Sequence, residues 1–177
     1  MIRLRMTNTK PTVWLFGDEA ANDLRDDLKN LRNIDIDTRC FAYTGATLDS
    51  VIDAQLLMAI GSGTQPAAIV VAVGAYDALR EAMSGGNAEG AAAQIETRKR
   101  RLKIALQLRA MENIPLLVHS SLACEVLCNR LGIPLGWAEE VRTMGCDERL
   151  SGIAAPGVLE LLLLGLGCGK DSTHEPS

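Results

Sequence analysis

Aromatic side chains are scarce in this chain: two Trp, two Tyr and two Phe among 177 residues. A core must therefore be built from Ala, Leu, Val and Ile, and a hydrophobic content of 47% is enough to build one. Positive charge is not in excess. The formal net charge is −4, which gives no general electrostatic pull toward nucleic acid or an anionic membrane. No apolar run approaches the roughly 20 residues a membrane span needs. The most apolar stretch, Val158 to Leu166, is interrupted by Glu160. Met1 to Pro11 is polar and lacks the apolar run of a secretory signal, so the expected location is cytoplasmic. The five cysteines, Cys40, Cys124, Cys128, Cys146 and Cys168, are odd in number and scattered through apolar segments. That favours reduced thiols over a disulfide framework. Histidine is limited to His119 and His174.

What is present is a βα alternation. Apolar runs at Thr12–Phe16, within Ile36–Tyr43, at Ala67–Val73 and at Ile114–Val118 predict four strands. Three are continuous rather than alternating, as expected for strands covered on both faces. The second alternates through Ile36, Thr38, Cys40 and Ala42 and is expected to be less deeply buried. Helical spacing predicts helices over Glu19–Leu31, Leu48–Ile60, Glu89–Glu112, Ser121–Leu131 and Pro156–Leu166. The implied architecture is α/β, a three-layer α/β/α sandwich around a mostly parallel sheet. Its expected limits are an extension at 1–11, a single domain at 12–167 and a tail at 168–177.

In open α/β sheets ligands bind beyond the carboxyl ends of the strands. Gly17-Asp18-Glu19 follows the first strand, and Thr44-Gly45-Ala46-Thr47 follows the second. Gly74-Ala75-Tyr76-Asp77 follows the third, and His119-Ser120-Ser121 closes the fourth. Asp147-Glu148-Arg149-Leu150 precedes the last helix. In order and placement these segments resemble the motifs of the SGNH, or GDSL, hydrolase family, a flavodoxin-like sandwich of esterases, lipases and carbohydrate deacetylases.

The resemblance implies roles position by position. Gly17-Asp18 matches, but Glu19 stands where the family has its nucleophilic serine. Gly45 matches the glycine whose N–H helps to hold the oxyanion. Tyr76 replaces the oxyanion asparagine ahead of Asp77, and Leu150 replaces the basic histidine three residues after Asp147. A carboxylate is a weak nucleophile toward esters, and a leucine takes no proton. The expectation is a catalytically inactive domain that acts as a structural or protein-interaction component, in a larger assembly or as a homo-oligomer, with no cofactor and no metal. The alternative is an esterase- or deacetylase-type hydrolase of altered chemistry in the same crevice, drawing on Asp18, Asp77, His119, Glu19 and Asp147.

Other features have ordinary readings beside functional ones. Glu19 suits the first turn of a helix, where the dipole favours a carboxylate. Ser120 or Ser121 suits a helix N-cap. Cys124 and Cys128 share a helical face and read as packing, with no second Cys/His pair near them in sequence to complete a zinc site. Arg98, Lys99, Arg100, Arg101 and Lys103 form the one candidate surface for nucleic acid or an acidic partner. No aromatics interleave with them, so a solvated helix face is the simpler expectation. Gly61-Ser62-Gly63 lacks the Lys-Ser/Thr of a phosphate-binding loop. Trp14 is expected in the core, and Tyr76 and Trp137 are candidates to line a site.

Overall fold

The computed structural model of the chain describes residues 10–31 and 33–144. Asp147, Leu150, Cys146, Cys168 and the helix expected at Pro156–Leu166 lie outside the described residues. The element order is β1 (Thr12–Gly17), α1 (Glu19–Lys29), β2 (Asp37–Cys40), α2 (Leu48–Ser50), a π-helical turn (Val51–Gln55), α3 (Leu56–Gly61), β3 (Ala68–Val73), α4 (Ala75–Met83), α5 (Ala88–Gln107), β4 (Leu116–Ser120), a 3-10 turn (Ser121–Ala123), α6 (Glu125–Leu131) and α7 (Leu135–Met144). The strands form one parallel sheet in the order β2-β1-β3-β4. No helix among the described residues is long and apolar enough to cross a membrane.

The continuous runs become the buried strands. All of β3 is buried, and so is β1 beyond Thr12. The alternating second run becomes edge strand β2, with no fully buried residue. Successive side chains face opposite sides of the sheet, so β1 and β3 feed two cores. Trp14, Phe16, Ile69, Val71 and Val73 join a large cluster with α3, α4, α5 and α7. Val13, Leu15, Ala68 and Val70 join a smaller cluster with Leu28 of α1 and, at its margin, Leu24 and Leu31. Five of the six aromatics lie in or against the larger cluster, where Trp14, Phe16 and Phe41 meet at ring-centroid distances of 5.6–6.2 Å. Elsewhere alanines, among them Ala75, Ala78, Ala91 and Ala92, fill the space between helices and sheet. Trp137 packs half-buried against this core.

Several expected boundaries move. The helix expected at Glu89–Glu112 ends at Gln107, and Ala110, at φ 54°, turns the chain toward β4. Arg109, just past the end of α5, is exposed. The β4 strand starts after Pro115, whose ring cannot donate to the ladder; its carbonyl accepts from Ile69 N–H at 2.9 Å. The helix expected from Ser121 starts at Glu125, after a 3-10 turn. Helices α4 and α7 were not expected from the sequence.

The topology places a crevice at the carboxyl ends of β1 and β3. From β1 the chain crosses to β2 on one side and then to β3 on the other, and such reversals leave a gap where ligands bind. Here the gap is tightly closed. Asp18 N–H donates to the Ala72 carbonyl at 3.0 Å, and Gly17 has φ +133°. A Cβ at Gly17 would lie 1.8 Å from the Ala72 oxygen. Only glycine fits both the angle and the space. Gly17→Ala is expected to cost more than about 3 kcal/mol, read as a large drop in the urea midpoint or loss of folded protein. A variant within about 0.5 kcal/mol of the parent would contradict this packing.

Candidate functional site

The site grows from the residues that follow β1 and β3. Asp18 is the N-cap of α1 and accepts from Ala20 N–H at 2.9 Å through Oδ1. Its Oδ2 accepts from the Ser121 hydroxyl at 2.7 Å. Ser121 Oγ in turn accepts from Ala75 N–H at 2.9 Å. Ser121 therefore does not cap the helix that follows it in sequence. It serves α4 instead, because Gly74, the residue before α4, has no side chain to cap with. Asp18 is wholly buried, and its pKa is pushed up to about 7. Burial is the main cause. The bonds from Ser121 and Ala20 act against it, and the nearby Glu19 and Asp77 charges act with it.

Glu19, one residue on, lies at the mouth of the crevice. Tyr76 of α4 donates its hydroxyl to Glu19 Oε1 at 2.7 Å. Arg130, in the last turn of α6, forms an ion pair with the same oxygen. Gly45 N–H, from the loop after β2, points at Oε2 at 3.4 Å. Burial, and then the bond to Glu19, raise the Tyr76 pKa, so the phenol stays a donor. Three of the positions singled out from sequence, Glu19, Gly45 and Tyr76, are thus brought together. Leu150 and Asp147 lie outside the described residues.

Asp77 belongs to a different network. Its buried carboxylate accepts from Leu48 N–H at 3.1 Å and from Arg98 at 3.1 Å. Burial raises its pKa, while the Leu48 bond and the Arg98 charge oppose the rise. Arg98 also reaches Asp49 at 3.2 Å, and Arg101 pairs with Asp49 at 2.6 Å. The basic run therefore does not present one uniform face. Arg98 turns inward, Arg101 is neutralised by α2, Lys99 pairs with Glu96, and Arg100 and Lys103 are exposed. His119 lies on β4, where alternation sets it on the face of Leu117. Asp77, on α4, is engaged by Leu48 N–H and Arg98.

Two contributors escaped the sequence reading. Gln55, wholly buried at the end of the π-helical turn, clamps Gly17. Its Oε1 accepts from Gly17 N–H at 2.7 Å, and its Nε2 donates to the Gly17 carbonyl at 2.9 Å. Arg130 is the second; its one signal in sequence was a cationic residue near the end of the helix that follows β4. Cys128 is buried and Cys124 partly so. Burial raises the Cys128 pKa, and among the described residues no group of three His, Cys, Asp or Glu side chains is placed to hold a metal.

No protein-family model and no curated protein match the chain. Among solved structures it is similar to a lipase/acylhydrolase from Enterococcus faecalis, with 16% identity and a TM-score of 0.44 over 93% of this chain and 100% of that one. It is also similar to a mutant of the esterase AlinE4, with 16% identity and a TM-score of 0.47 over 95% of this chain and 87% of that one. AlinE4 itself, described as an SGNH-hydrolase family esterase, gives 16% identity and a TM-score of 0.37 over 89% and 93%.

Two outcomes follow from the buried carboxylates. Asp18 has a folded pKa of about 7 against 3.8 ordinarily. Between these values the folded chain binds more protons than the unfolded one. Stability contributed at Asp18 therefore falls as pH rises through this window, by at most about 1.4 kcal/mol per unit. Asp18→Asn removes that dependence. Its unfolding free energy relative to the parent is expected to improve by about 2 kcal/mol between pH 5 and pH 7.5 in urea titrations. A pH-independent difference would contradict the buried, raised carboxyl group. Arg98→Ala strands the Asp77 carboxylate and is expected to cost about 3 kcal/mol, the loss growing with pH. Lys103→Ala, on the exposed side, should stay within about 0.5 kcal/mol.

Proposed function

We propose that this chain is an SGNH-hydrolase-like domain that does not hydrolyse esters and serves as a structural or protein-interaction component. The observation that carries this reading is the occupancy of the Glu19 carboxylate. In the acyl-transfer chemistry of the resemblance, a hydroxyl at this position would attack, and nearby donors would hold the developing oxyanion. Here the Glu19 carboxyl group stands in place of the attacking hydroxyl and engages the Tyr76 hydroxyl, the Arg130 guanidinium and the Gly45 N–H. The donors that would hold a developing oxyanion are already engaged by the Glu19 side chain, and losing one such donor costs about 3 kcal/mol in reactions of this kind.

An interaction role is supported by apolar side chains left on the helical surface. Leu57 and Met58 of α3, Ile104 of α5 and Leu108, the residue that caps α5, are all more than half exposed. Ile104 and Leu108 stand one turn apart on one helix face.

The test is an assay of the purified chain against short-chain nitrophenyl esters and acetylated sugars, beside light scattering over a range of concentrations. Hydrolysis at the rate of the buffer blank is expected, together with a mass above that of one chain or a stable complex with a partner. Turnover that drops at least tenfold in Glu19→Ala or Tyr76→Phe would overturn the inactive reading. A protein that stays monomeric and takes up no partner would remove the interaction role.

A further inference from the structure

Glu19 is held by donors from three separate elements, and this arrangement makes sense as a receptor and its occupant. The Arg130 guanidinium comes from α6, the Tyr76 hydroxyl from α4, and the Gly45 N–H from the loop after β2. All three are donors, and all three converge on the two oxygens of one carboxylate. Glu19 itself is attached to α1 and is only 18% exposed, whereas Arg130 is 58% exposed and so reachable from solvent. A planar cation, a hydroxyl and a backbone N–H form a donor set suited to a carboxylate. Covalent attachment gives the Glu19 side chain a high effective concentration at that set, so free anions compete poorly against it.

We propose that Arg130, Tyr76 and Gly45 form a latent carboxylate-binding site that the chain keeps closed with its own Glu19, an autoinhibitory contact at the head of α1. The ligand class is a small monocarboxylate, or the carboxylate end of a larger molecule, that takes the place of the Glu19 side chain. The inference rests on the reading that Glu19 occupies this crevice. Its test reads binding and not turnover, so failure here leaves the question of hydrolysis untouched, and hydrolysis would not decide this one.

The probe is sodium acetate, compared with sodium chloride at constant ionic strength. It is applied to the full chain and to the variants Glu19→Ala, Glu19→Ala/Arg130→Gln and Glu19→Gln. Melting temperature and the chemical shift of the Gly45 amide are the readouts. The parent and Glu19→Gln, whose cradles are filled, are expected to respond to acetate no more than to chloride. Glu19→Ala is expected to melt lower than the parent and to recover saturably with acetate, with a dissociation constant on the order of 10 mM, reasonable for so small a ligand. The Gly45 amide should shift along with it. The double variant should lose at least tenfold in acetate affinity. Glu19→Ser provides a second truncation with the same expectation, and a variant that folds in acetate but not in chloride also supports the site. Equal responses to acetate and chloride, recovery that survives the Arg130 change, or truncations that stay unfolded in both salts would each overturn the proposal.

Discussion

The carboxyl ends of β1 and β3 approach so closely that the Ala72 carbonyl of β3 takes the space where a side chain on Gly17 would stand. The arrangement at the site depends on this contact. It fixes Asp18 N–H on the Ala72 carbonyl and sets the start of α1 beside the start of α4. Glu19 and Tyr76, 57 residues apart in the chain, then come within a hydrogen bond of each other. Around the contact lie two buried polar supports. Gln55 satisfies both backbone groups of Gly17, and Ser121 links the Asp18 carboxyl to the head of α4. Unpaired polar groups at this depth would each cost about 1–3 kcal/mol, so these partners are part of what lets the strands close.

The same region shows how one fold handles three carboxyl groups in three ways. Asp18 is buried with no cation beside it among the described residues, and its pKa rises toward neutrality. Asp77 is buried beside Arg98, which offsets part of the burial penalty. Glu19 lies nearer solvent and pairs with Arg130 and Tyr76. The difference follows from depth and from which helix carries an arginine to the spot.

Much of the frame was legible because continuous apolar runs leave few alternatives. TVWLF and AIVVAV had to be covered on both faces, and the alternating second run suited an edge. Glu19, Gly45 and Tyr76 were singled out together by the resemblance of their segments to the SGNH motifs, and the observed strand order sets the segments after β1 and β3 side by side. What was not legible depended on partners distant in sequence. Arg98 looked like one member of an exposed basic run, and only the position of Asp77 draws it inward. Gln55 looked like an ordinary helical residue until the π-helical turn aimed it at Gly17. Ser121 looked like a local cap, whereas its hydroxyl serves a helix 46 residues earlier. Helix α4 was overlooked because its first residues were read as a strand-end motif, and α7 because its periodic pattern is short.

The π-helical turn at Val51–Gln55 has a consequence for the length of the chain. A π turn accommodates an additional residue within an otherwise α-helical path. Removing one residue there would let the helix rewind into a regular α spiral, swinging Gln55 around the axis by about 100°. Its amide would then leave the backbone of Gly17, although every remaining amino acid would be unchanged. Spacing between Thr47 and Gly61 is thus constrained as tightly as side-chain identity, and this stretch should tolerate conservative replacements far better than insertions or deletions.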